Sequence, residues 1–274
     1  MEKKKISLVT GASSGLGKFL AELLCGEGHR VYVTARRTKL LQSLKVKCSK
    51  LGGEVIIIHG ELLDSKFRTK LILKIIKKEK RIDYLFNNAG FGRAVIFENQ
   101  KNEDIENMIT LNVIASQHLT NLVLPHMKKK NSGRFIHTGS VVAFTPLPYF
   151  ATYNSTKAAL YSFNRSLRYE LKNTGISSTV VLPARMNTGF AQEAFNCDHE
   201  KGKDFCVEKF NKKAGSPYQV ARTIVNQMNS GKEVITPTFK SKMWYFMRYF
   251  GWVVDLSMKN IIGPKQLKDL KKIK

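Results

Sequence analysis

Short runs of apolar residues alternate along the chain with longer stretches in which apolar residues recur at helical spacing. Several short runs are almost unbroken in Val, Ile and Leu, which is typical of strands that are buried on both faces of a sheet. The alternation predicts βαβ units, whose right-handed crossovers place helices on both faces of a parallel sheet. We expect strands at Ile6–Thr10, Arg30–Ala35, Val55–His59, Tyr84–Asn87, Arg134–Thr138, Ser178–Leu182 and Glu233–Thr236.

The stretches between these strands have the spacing of amphipathic helices. Ser216 followed by Pro217 is typical of an N-cap and a first helical residue. No repeat, low-complexity block or Pro/Gly/Ser-rich linker divides the chain. The predicted fold class is α/β, a single doubly wound (Rossmann-type) parallel sheet over residues 1–238, with a C-terminal helical extension over residues 239–274. One long helical pattern contains Ile105, Met108, Ile109, Asn112, Val113, Ser116, Leu119 and Val123.

Length and composition agree with one large domain. The chain has 274 residues, and 43% of them are hydrophobic. No stretch approaches the roughly 18 apolar residues that a membrane-spanning helix needs. The basic start Met1–Lys5 is followed by only four apolar residues, Ile6–Val9, too few for a signal peptide. We therefore expect a cytoplasmic protein.

Basic residues far outnumber acidic ones. The chain contains 46 Lys and Arg against 21 Asp and Glu, a formal net charge of +25. Such a charge suits nucleic acid, an anionic membrane or a lysine-rich solvated surface. The lysines are scattered, whereas a nucleic-acid groove favours one basic stripe with aromatic residues between the charges. We expect no specific nucleic-acid binding.

Four cysteines are too few for a disulfide scaffold in a chain of this length. Cys197, His199 and Cys206 lie close together, but they lack the CxxC spacing of structural zinc sites. We expect reduced thiols and no metal site.

A glycine-rich turn follows the first predicted strand. Residues 10–17 read TGASSGLG, and a helical pattern follows. A strand, a glycine turn and a helix N-terminus present free backbone N–H groups and the positive end of the helix dipole to a pyrophosphate. The spacing G-x-x-x-G-x-G differs from the common G-x-G-x-x-G, and the Lys-Ser/Thr of a P-loop is missing. A purely structural turn is therefore the alternative.

The end of the second predicted strand bears on the choice of dinucleotide. NAD-binding turns usually have an acidic residue there, about 20 residues after the glycines, which holds the ribose 2′-hydroxyl. This chain has Arg36 and Arg37 instead. An arginine in that position pairs with a 2′-phosphate, so Arg36 favours NADP(H) over NAD(H). The alternative is a pair of ordinary solvated arginines.

Further motifs follow in a fixed order. Asn87–Gly90 ends the fourth predicted strand, Ser140 follows the fifth, and Tyr153–Lys157 (YNSTK) begins 13 residues after that serine. Together with the glycine turn and Asn112, these motifs resemble the short-chain dehydrogenase/reductase family. The resemblance covers residues 6–236. It implies a Rossmann-type fold, a nicotinamide dinucleotide and an oxidoreductase acting on a hydroxyl or carbonyl group.

The residues themselves support this chemistry. Tyr153 and Lys157 share one helix face, and a neighbouring ammonium favours the phenolate of a tyrosine whose ordinary pKa is near 10. The resemblance implies that Tyr153 donates a proton to the substrate's carbonyl oxygen as hydride arrives, and that Ser140 hydrogen-bonds the same oxygen. It also implies that Lys157 holds the nicotinamide ribose and that Asn112 supports a water-linked proton relay. A core tyrosine is the alternative role for an isolated YxxxK.

The resemblance also assigns the cofactor contacts. Two positions depart from the family pattern: Ala184 stands where glycine is usual, and Glu61 stands where aspartate is usual beside the adenine. A positive φ at Ala184 would cost about 1 kcal/mol. The implied contacts, besides Arg36, Tyr153 and Lys157, are Gly11, Ser13, Ser14, Gly15, Leu16, Gly17, Glu61, Leu62, Asn88, Ala89, Gly90, Pro183, Met186 and Thr188.

Substrate selection is expected to involve the segment after Thr188. Residues 189–215 contain several phenylalanines among charged residues, which is typical of a lid over an apolar pocket. Such a pocket favours a hydrophobic ketone or aldehyde, although the same aromatics equally suit an ordinary core. The expected substrate contacts are Ser140, Val142, Tyr149, Tyr153 and Phe190, with Phe144, Leu147 and Met186 as further pocket walls.

Two functions from different classes are compatible with the sequence. The first is an NADPH-dependent carbonyl reductase, or the reverse alcohol oxidation. The second is a non-catalytic NADP-binding regulatory or membrane-surface protein on the same fold. Intact Ser140, Tyr153 and Lys157 favour the enzyme, since a protein that only binds has no chemical need for all three. A homo-oligomer that pairs through the helix carrying Tyr153 is a further expectation from the family.

The C-terminal extension is rich in aromatic residues. At helical spacing, six apolar residues form one stripe that could pack on the domain, while Trp244 and Trp252 project from roughly the opposite side. Trp rings beside basic residues suit a membrane interface, so peripheral membrane association through residues 239–274 is predicted. A dimer contact through the same aromatics is the competitor. The stripe comprises Phe239, Met243, Phe246, Met247, Phe250 and Val254.

Overall fold

The computed structural model describes residues 4–195 and 214–273, without the side chains of the last turns after residue 268. Its strands form one sheet in which every pairing is parallel. The strands are β1 (Ile6–Thr10), β2 (Arg30–Thr34), β3 (Glu54–Ile57), β4 (Tyr84–Asn87), β5 (Gly133–Thr138), β6 (Ile176–Val181) and β7 (Val234–Ile235). All seven predicted strands are therefore confirmed, with ends shifted by at most two residues.

The sheet order is β3-β2-β1-β4-β5-β6-β7. The chain moves outward in one direction from β1 to β3, then returns to β4 on the other side of β1. The order thus reverses between β1 and β4, and in such sheets ligands bind beyond the carboxyl ends of the strands at this switch point. The glycine turn after β1 and the Asn87–Gly90 motif after β4 consequently meet at the same edge.

Helices cover both faces of the sheet. Those described are α1 (Gly15–Gly26), α2 (Thr38–Lys50), α3 (Ser65–Glu79), α4 (Asn102–Ile109), α5 (Ala115–Lys130), α6 (Ala151–Glu170), α7 (Phe190–Ala194), α8 (Pro217–Gln227), α9 (Phe239–Phe246), α10 (Gly251–Ser257) and α11 (Gly263–Ile273). On one face, α1, α2 and α8 bury residues such as Leu20, Leu44 and Ile224. On the other, α3 and α5 contribute Leu71 and Leu119. The predicted doubly wound α/β fold is confirmed.

Local sequence signals explain two of the helix starts. Ser216 caps α8, its hydroxyl accepting a hydrogen bond from the Gln219 backbone N–H, and Pro217 is the first helical residue, as predicted. A capping box formed by Thr238 and Ser241 begins α9.

A π-helical turn, Thr110–Ile114, joins α4 to α5. Because this turn is wider than an α-helical turn, it shifts the phase of the buried stripe that the sequence predicts. Ile109, expected on that stripe, is 40% exposed, whereas Asn112 in the middle of the π turn is fully buried. The irregular turn therefore carries one of the predicted site residues inward.

The C-terminal extension differs from the continuous helix that the sequence predicts. After α9 a short 3-10 turn, Met247–Tyr249, leads to Phe250, whose φ of −120° and ψ of 51° interrupt the helix before α10. The packed side is also different. Trp244 packs against a cluster of buried residues from the domain, whereas Phe239, expected to dock, is 82% exposed. In the part of the chain that the structure describes, no helix is long and apolar enough to cross a bilayer.

Candidate active site

The glycine turn after β1 is shaped by close backbone approaches. Gly11 has a φ of +66°, and a Cβ there would lie 2.8 Å from the Ala89 Cα atom. A Cβ on Gly17 would lie 2.4 Å from the Gly11 carbonyl oxygen and 2.5 Å from the Asn88 amide nitrogen. These positions admit only glycine without displacement of the turn, because real Cβ atoms do not approach so closely. The turn is thus held tightly against the segment that follows β4.

Thr10 connects these two segments. Its hydroxyl accepts hydrogen bonds from the backbone N–H groups of Asn88, at 2.9 Å, and Ala89, at 3.0 Å, and itself donates to the Phe86 carbonyl. The Asn88 side chain returns a bond to the Thr10 carbonyl at 2.9 Å. The structure therefore brings together the expected contacts Gly11, Asn88 and Ala89, and it adds Thr10 as the residue that joins them.

Gly15 and Ser14 lie at the start of α1. Ser14 is the N-cap residue of that helix, but its hydroxyl does not cap it. A Cβ on Gly15, where φ is +54°, would lie 3.2 Å from the Thr188 Cγ2 atom, so this expected carboxamide contact lies directly beside the turn. The side chains of Leu16 and Leu62 are buried in the two core clusters. Of these two leucines, only the backbone is therefore available to a cofactor.

Arginine side chains surround the glycine turn. The Arg37 guanidinium donates to the Ser13 hydroxyl, from Nε at 3.2 Å and from Nη2 at 3.0 Å, and also to the Ser14 hydroxyl. Arg36 lies farther out, with its side chain 65% exposed, and pairs with Glu61 at 3.6 Å and with Glu193 at 3.9 Å. Arg36 alone was predicted to bind the ribose 2′-phosphate. The adjacent arginine in the same motif is the one that touches the turn.

Ser140 and Tyr153 are neighbours beyond the carboxyl end of β5. Ser140 is buried and begins a 3-10 turn, where its hydroxyl accepts a bond from the Val142 backbone N–H at 3.3 Å. Burial raises the pKa of the Tyr153 phenol above its ordinary value, and the hydrogen bond with Ser140 acts in the opposite direction. At neutral pH the phenol is therefore protonated.

Lys157 lies one helical turn beyond Tyr153, with its Nζ atom 5.5 Å from the centroid of the tyrosine ring. The ammonium donates to the Thr138 carbonyl at 2.8 Å, and the Thr138 hydroxyl donates to the Asn88 side chain at 3.3 Å. Burial lowers the pKa of Lys157 to about 8. The ends of β4 and β5 and the first turns of α6 are thus connected through one cation.

Asn112 lies close to Lys157, beside the segment that follows β4. Its side-chain amide donates to the Phe91 carbonyl at 2.9 Å and accepts from the Phe91 N–H at 3.0 Å, so it pairs with that backbone as a strand would. A Cβ on Gly90 would lie 2.8 Å from the Asn112 Oδ1 atom and 3.6 Å from the Lys157 Nζ atom. Gly90 therefore allows Asn112 and Lys157 to approach the same point.

The segment after β6 lies beside the loop that follows β5. The Pro183 carbonyl accepts a hydrogen bond from the Val141 N–H at 3.3 Å, and Met186 forms an isolated bridge with Gly215. Ala184 is not among the described non-glycine residues with positive φ, which are Lys80, Asn131, Tyr149 and Asn173. The alanine that departs from the family pattern is consequently accommodated without backbone strain.

Aromatic side chains cover the Tyr153 phenol. The Phe190 ring on α7 lies 5.2 Å from the Tyr153 ring, and Leu147 belongs to the same apolar cluster. Tyr149 is attached by its backbone, its carbonyl accepting from the Val95 N–H at 2.9 Å. Phe144, expected as a pocket wall, packs instead on Tyr161 and the C-terminal Tyr245. Its environment is thus the interface with the C-terminal helices.

Part of the predicted lid, residues 196–213, lies outside the described residues, as do Cys197, His199 and Cys206. Among the residues that are described, no group of three or more His, Cys, Asp or Glu side chains is placed to hold a metal ion. Cys25 and Cys48 are buried free thiols on α1 and α2.

The arrangement fits a dinucleotide with a nicotinamide ring. The N-terminus of α1 and the Arg37–Ser13 pair at the glycine turn could bind an anionic group, and Lys157 offers a cationic donor at the same edge of the sheet. Ser140 and Tyr153 supply one acceptor–donor pair beside that position. Chemically, the group can hold a carbonyl oxygen and move a proton onto it.

Comparisons with known proteins agree with this geometry. Residues 5–198 match the short chain dehydrogenase family. An 11-beta-hydroxysteroid dehydrogenase of Pinus massoniana is 30% identical over 262 residues, which cover 92% of this chain and 71% of that protein.

Two solved structures share the fold. A short-chain dehydrogenase from Sphingobium yanoikuyae in complex with NADPH superimposes with a TM-score of 0.78 and 25% identity, covering 94% of this chain and 96% of that one. A short-chain dehydrogenase/reductase from Burkholderia phymatum in complex with NAD gives a TM-score of 0.82 at 20% identity, covering 92% of this chain and 95% of that one. Proteins of this fold therefore bind either dinucleotide. By its sequence match and its fold, the chain belongs to the short-chain dehydrogenase/reductase family of oxidoreductases.

Proposed function

We propose that the protein is an NADPH-dependent reductase that converts a lipophilic ketone or aldehyde to the alcohol, with Tyr153 as the proton donor. The observation that carries this proposal is that Ser140, Tyr153 and Lys157 come together at the edge of the sheet where the glycine turn lies, with the Lys157 Nζ atom 5.5 Å from the centroid of the Tyr153 ring. A protein that only binds a dinucleotide needs the turn but not this group. The same residues serve the reverse oxidation.

The proton transfer follows from the environment of the phenol. The Tyr153 phenol is protonated at neutral pH, because its ordinary pKa is near 10 and burial raises it further. Burial thus makes the phenol a weaker acid, and a neighbouring positive charge is needed for it to donate its proton. When bound, a dihydronicotinamide would supply the hydride to the carbonyl carbon. Tyr153 gives its proton to the carbonyl oxygen, Ser140 hydrogen-bonds that oxygen, and the charge of Lys157 stabilises the phenolate that is left. Asn112 fixes the backbone of Phe91 beside this group and would support proton return through water.

The cofactor preference rests on charge. Arg37 beside Ser13 and Ser14, and Arg36 one residue earlier, form a cationic site where a ribose 2′-phosphate would lie. Glu61, in the position where the family usually has an aspartate beside the adenine, pairs with Arg36 and so helps to position it. These contacts support NADP(H) over NAD(H).

The substrate class rests on the walls around Tyr153. Phe190 and Phe150 lie against the Tyr153 ring, and Leu147 and Phe195 belong to the same apolar cluster. Such a wall favours an apolar carbonyl compound over a highly charged one. The steroid in the name of the Pinus relative agrees with a lipophilic substrate. Cytoplasmic location and pairing through α6 stay predictions of the sequence.

A substrate screen tests the proposal. NADPH consumption is followed by absorbance with long-chain ketones, aldehydes, steroids and small diketones, each with the unchanged protein and with Tyr153→Phe. We expect turnover with at least one apolar carbonyl compound and its loss in the variant. NADPH binding without turnover on any of these compounds, in either direction, would favour the non-catalytic alternative.

A further inference from the structure

The C-terminal helices expose an unusual amount of apolar surface. Of the seventeen large hydrophobic residues that are exposed among the described residues, eight lie between residues 239 and 261. The rings are contiguous where α9 ends, with Phe246 at 6.1 Å from Tyr249 and 5.5 Å from Phe250. We name the following residues the aromatic surface: Phe239, Met243, Phe246, Tyr249, Phe250 and Trp252.

The helices that carry the aromatic surface pack on the domain with their other side. On the opposite side of α9, Trp244 and Tyr245 pack against the buried cluster that contains Val141 and Leu182. Val254 on α10 is buried as well. The exposed rings are therefore held outward by packing on their other side, and apolar patches that a fold holds in water in this way usually mark a binding surface.

The charge around the aromatic surface identifies the partner. Residues 239–274 contain nine Lys or Arg and two Asp. Lys242 lies on α9, Arg248 on the 3-10 turn that follows it and Lys259 just after α10, and Arg248 stacks on Tyr245 at 3.6 Å from its centroid. In a symmetric contact between two copies of this chain, these cations would come together and their like charges would repel. An anionic lipid surface attracts them, and Trp and Tyr rings favour the headgroup region.

The C-terminal helices also pack against a loop of the candidate active site. Tyr245 contacts Phe144 at 5.5 Å between ring centroids, and a Cβ on Gly263 would lie 3.5 Å from the Pro148 Cγ atom. Both contacts are with the loop that runs from Ser140 to Tyr149. The helices that carry the surface are thus built against the loop that would receive the substrate.

We propose that the aromatic surface binds the face of an anionic phospholipid bilayer, lying in its headgroup region without crossing it. The binding does not depend on the proposed reductase function.

Sedimentation with vesicles tests the binding. The full chain is mixed with vesicles of phosphatidylcholine alone or with added phosphatidylserine, at low and high salt. We expect sedimentation with the anionic vesicles, weakened by salt, and affinity at least about tenfold lower for the double variant Phe246→Ser, Trp252→Ser. Tyr169→Ser, which removes an aromatic residue of similar exposure (70%, against 72% for Trp252) from α6, is the matched control and should bind normally.

A fluorescence measurement locates the contact. The chain has two tryptophans, so Trp244→Phe leaves Trp252 as the single reporter. Its emission should shift to shorter wavelength on anionic vesicles and be quenched by brominated lipid. Tyr153→Phe should bind vesicles like the unchanged protein, which separates this proposal from the catalytic one.

Three results would overturn the proposal. The first is a protein that stays in the supernatant with anionic vesicles at low salt. The second is a double variant that binds as well as the unchanged protein, since the lysines alone would then suffice. The third is a dimer that the double variant abolishes, without any binding to vesicles.

Discussion

Arg37 and Ser13 are joined by two hydrogen bonds, from Nε at 3.2 Å and from Nη2 at 3.0 Å to the same hydroxyl. The contact connects the end of β2 to the glycine turn after β1. It places a guanidinium beside the N-terminus of α1, where backbone N–H groups could bind a phosphate. Cofactor selection by this chain should therefore depend on a pair of arginines rather than on Arg36 alone.

Arg36→Ala and Arg37→Ala should each weaken NADPH binding by roughly 1–3 kcal/mol, the scale of a lost charge-assisted hydrogen bond. Binding of NADH, which has no 2′-phosphate, should change little. Dissociation constants of both cofactors, measured by fluorescence titration, check this. Lys39→Ala, at an exposed neighbouring lysine, is the control and should leave both constants unchanged. Equal affinity of the unchanged protein for NADPH and NADH would show that the arginines do not select the cofactor.

Gly17→Ala should damage the glycine turn. The added Cβ would lie 2.4 Å from the Gly11 carbonyl oxygen, so the turn or the Asn88 side chain must move. We expect the free energy of unfolding to fall by about 1–3 kcal/mol, with a loss of NADPH affinity. Denaturant unfolding and cofactor titration measure the two effects.

Gly26→Ala is the matched control for that variant. It adds the same methyl group to the same helix at a position with no atom within 4 Å. Stability there should be unchanged or higher by up to about 1 kcal/mol, because alanine is the better helix former. A Gly17→Ala protein as stable and as tightly binding as Gly26→Ala would contradict the close packing of the turn.

The rate of reduction should depend on the protonation of Lys157. Because burial lowers its pKa to about 8, the ammonium loses its proton as the pH rises through this value. The charge that stabilises a developing phenolate on Tyr153 is then lost. The kcat/KM for reduction should be level at about pH 6–7 and fall above about pH 8.

Lys157→Arg separates this cause from others. An arginine stays charged, so whatever activity the variant keeps should lose the decline near pH 8. A decline that is the same in both proteins would assign it to another group.

The sequence predicted the strands well, because each lies in a run of apolar residues that only a sheet covered on both faces can bury. Ile6–Thr10, for example, is buried at every position. The positions of Ser140, Tyr153 and Lys157 followed from the same order, since they come at the carboxyl ends of neighbouring strands or start the helix that follows.

Three features were beyond the pattern. The π turn that buries Asn112 depends on the pairing of its side chain with the Phe91 backbone, a contact between residues 21 apart. The helix is interrupted at Phe250, although that residue is neither proline nor glycine. The reach of Arg37 to Ser13 depends on how far apart the strands β1 and β2 place their turns. The burial of Asn112 and the reach of Arg37 are tertiary contacts, which local spacing does not encode.

Single-turnover reduction of a carbonyl substrate found by the screen, compared between the unchanged protein and Tyr153→Phe, shows whether Tyr153 is the proton donor. The variant keeps the ring and its packing on Phe190 but removes the proton to be transferred. We expect the unchanged protein to form one molecule of alcohol for each NADPH consumed. In the variant, the rate of reduction should be at least roughly a hundredfold lower, while the affinity for NADPH changes little. An unchanged rate in Tyr153→Phe would contradict the role of Tyr153 as the proton donor.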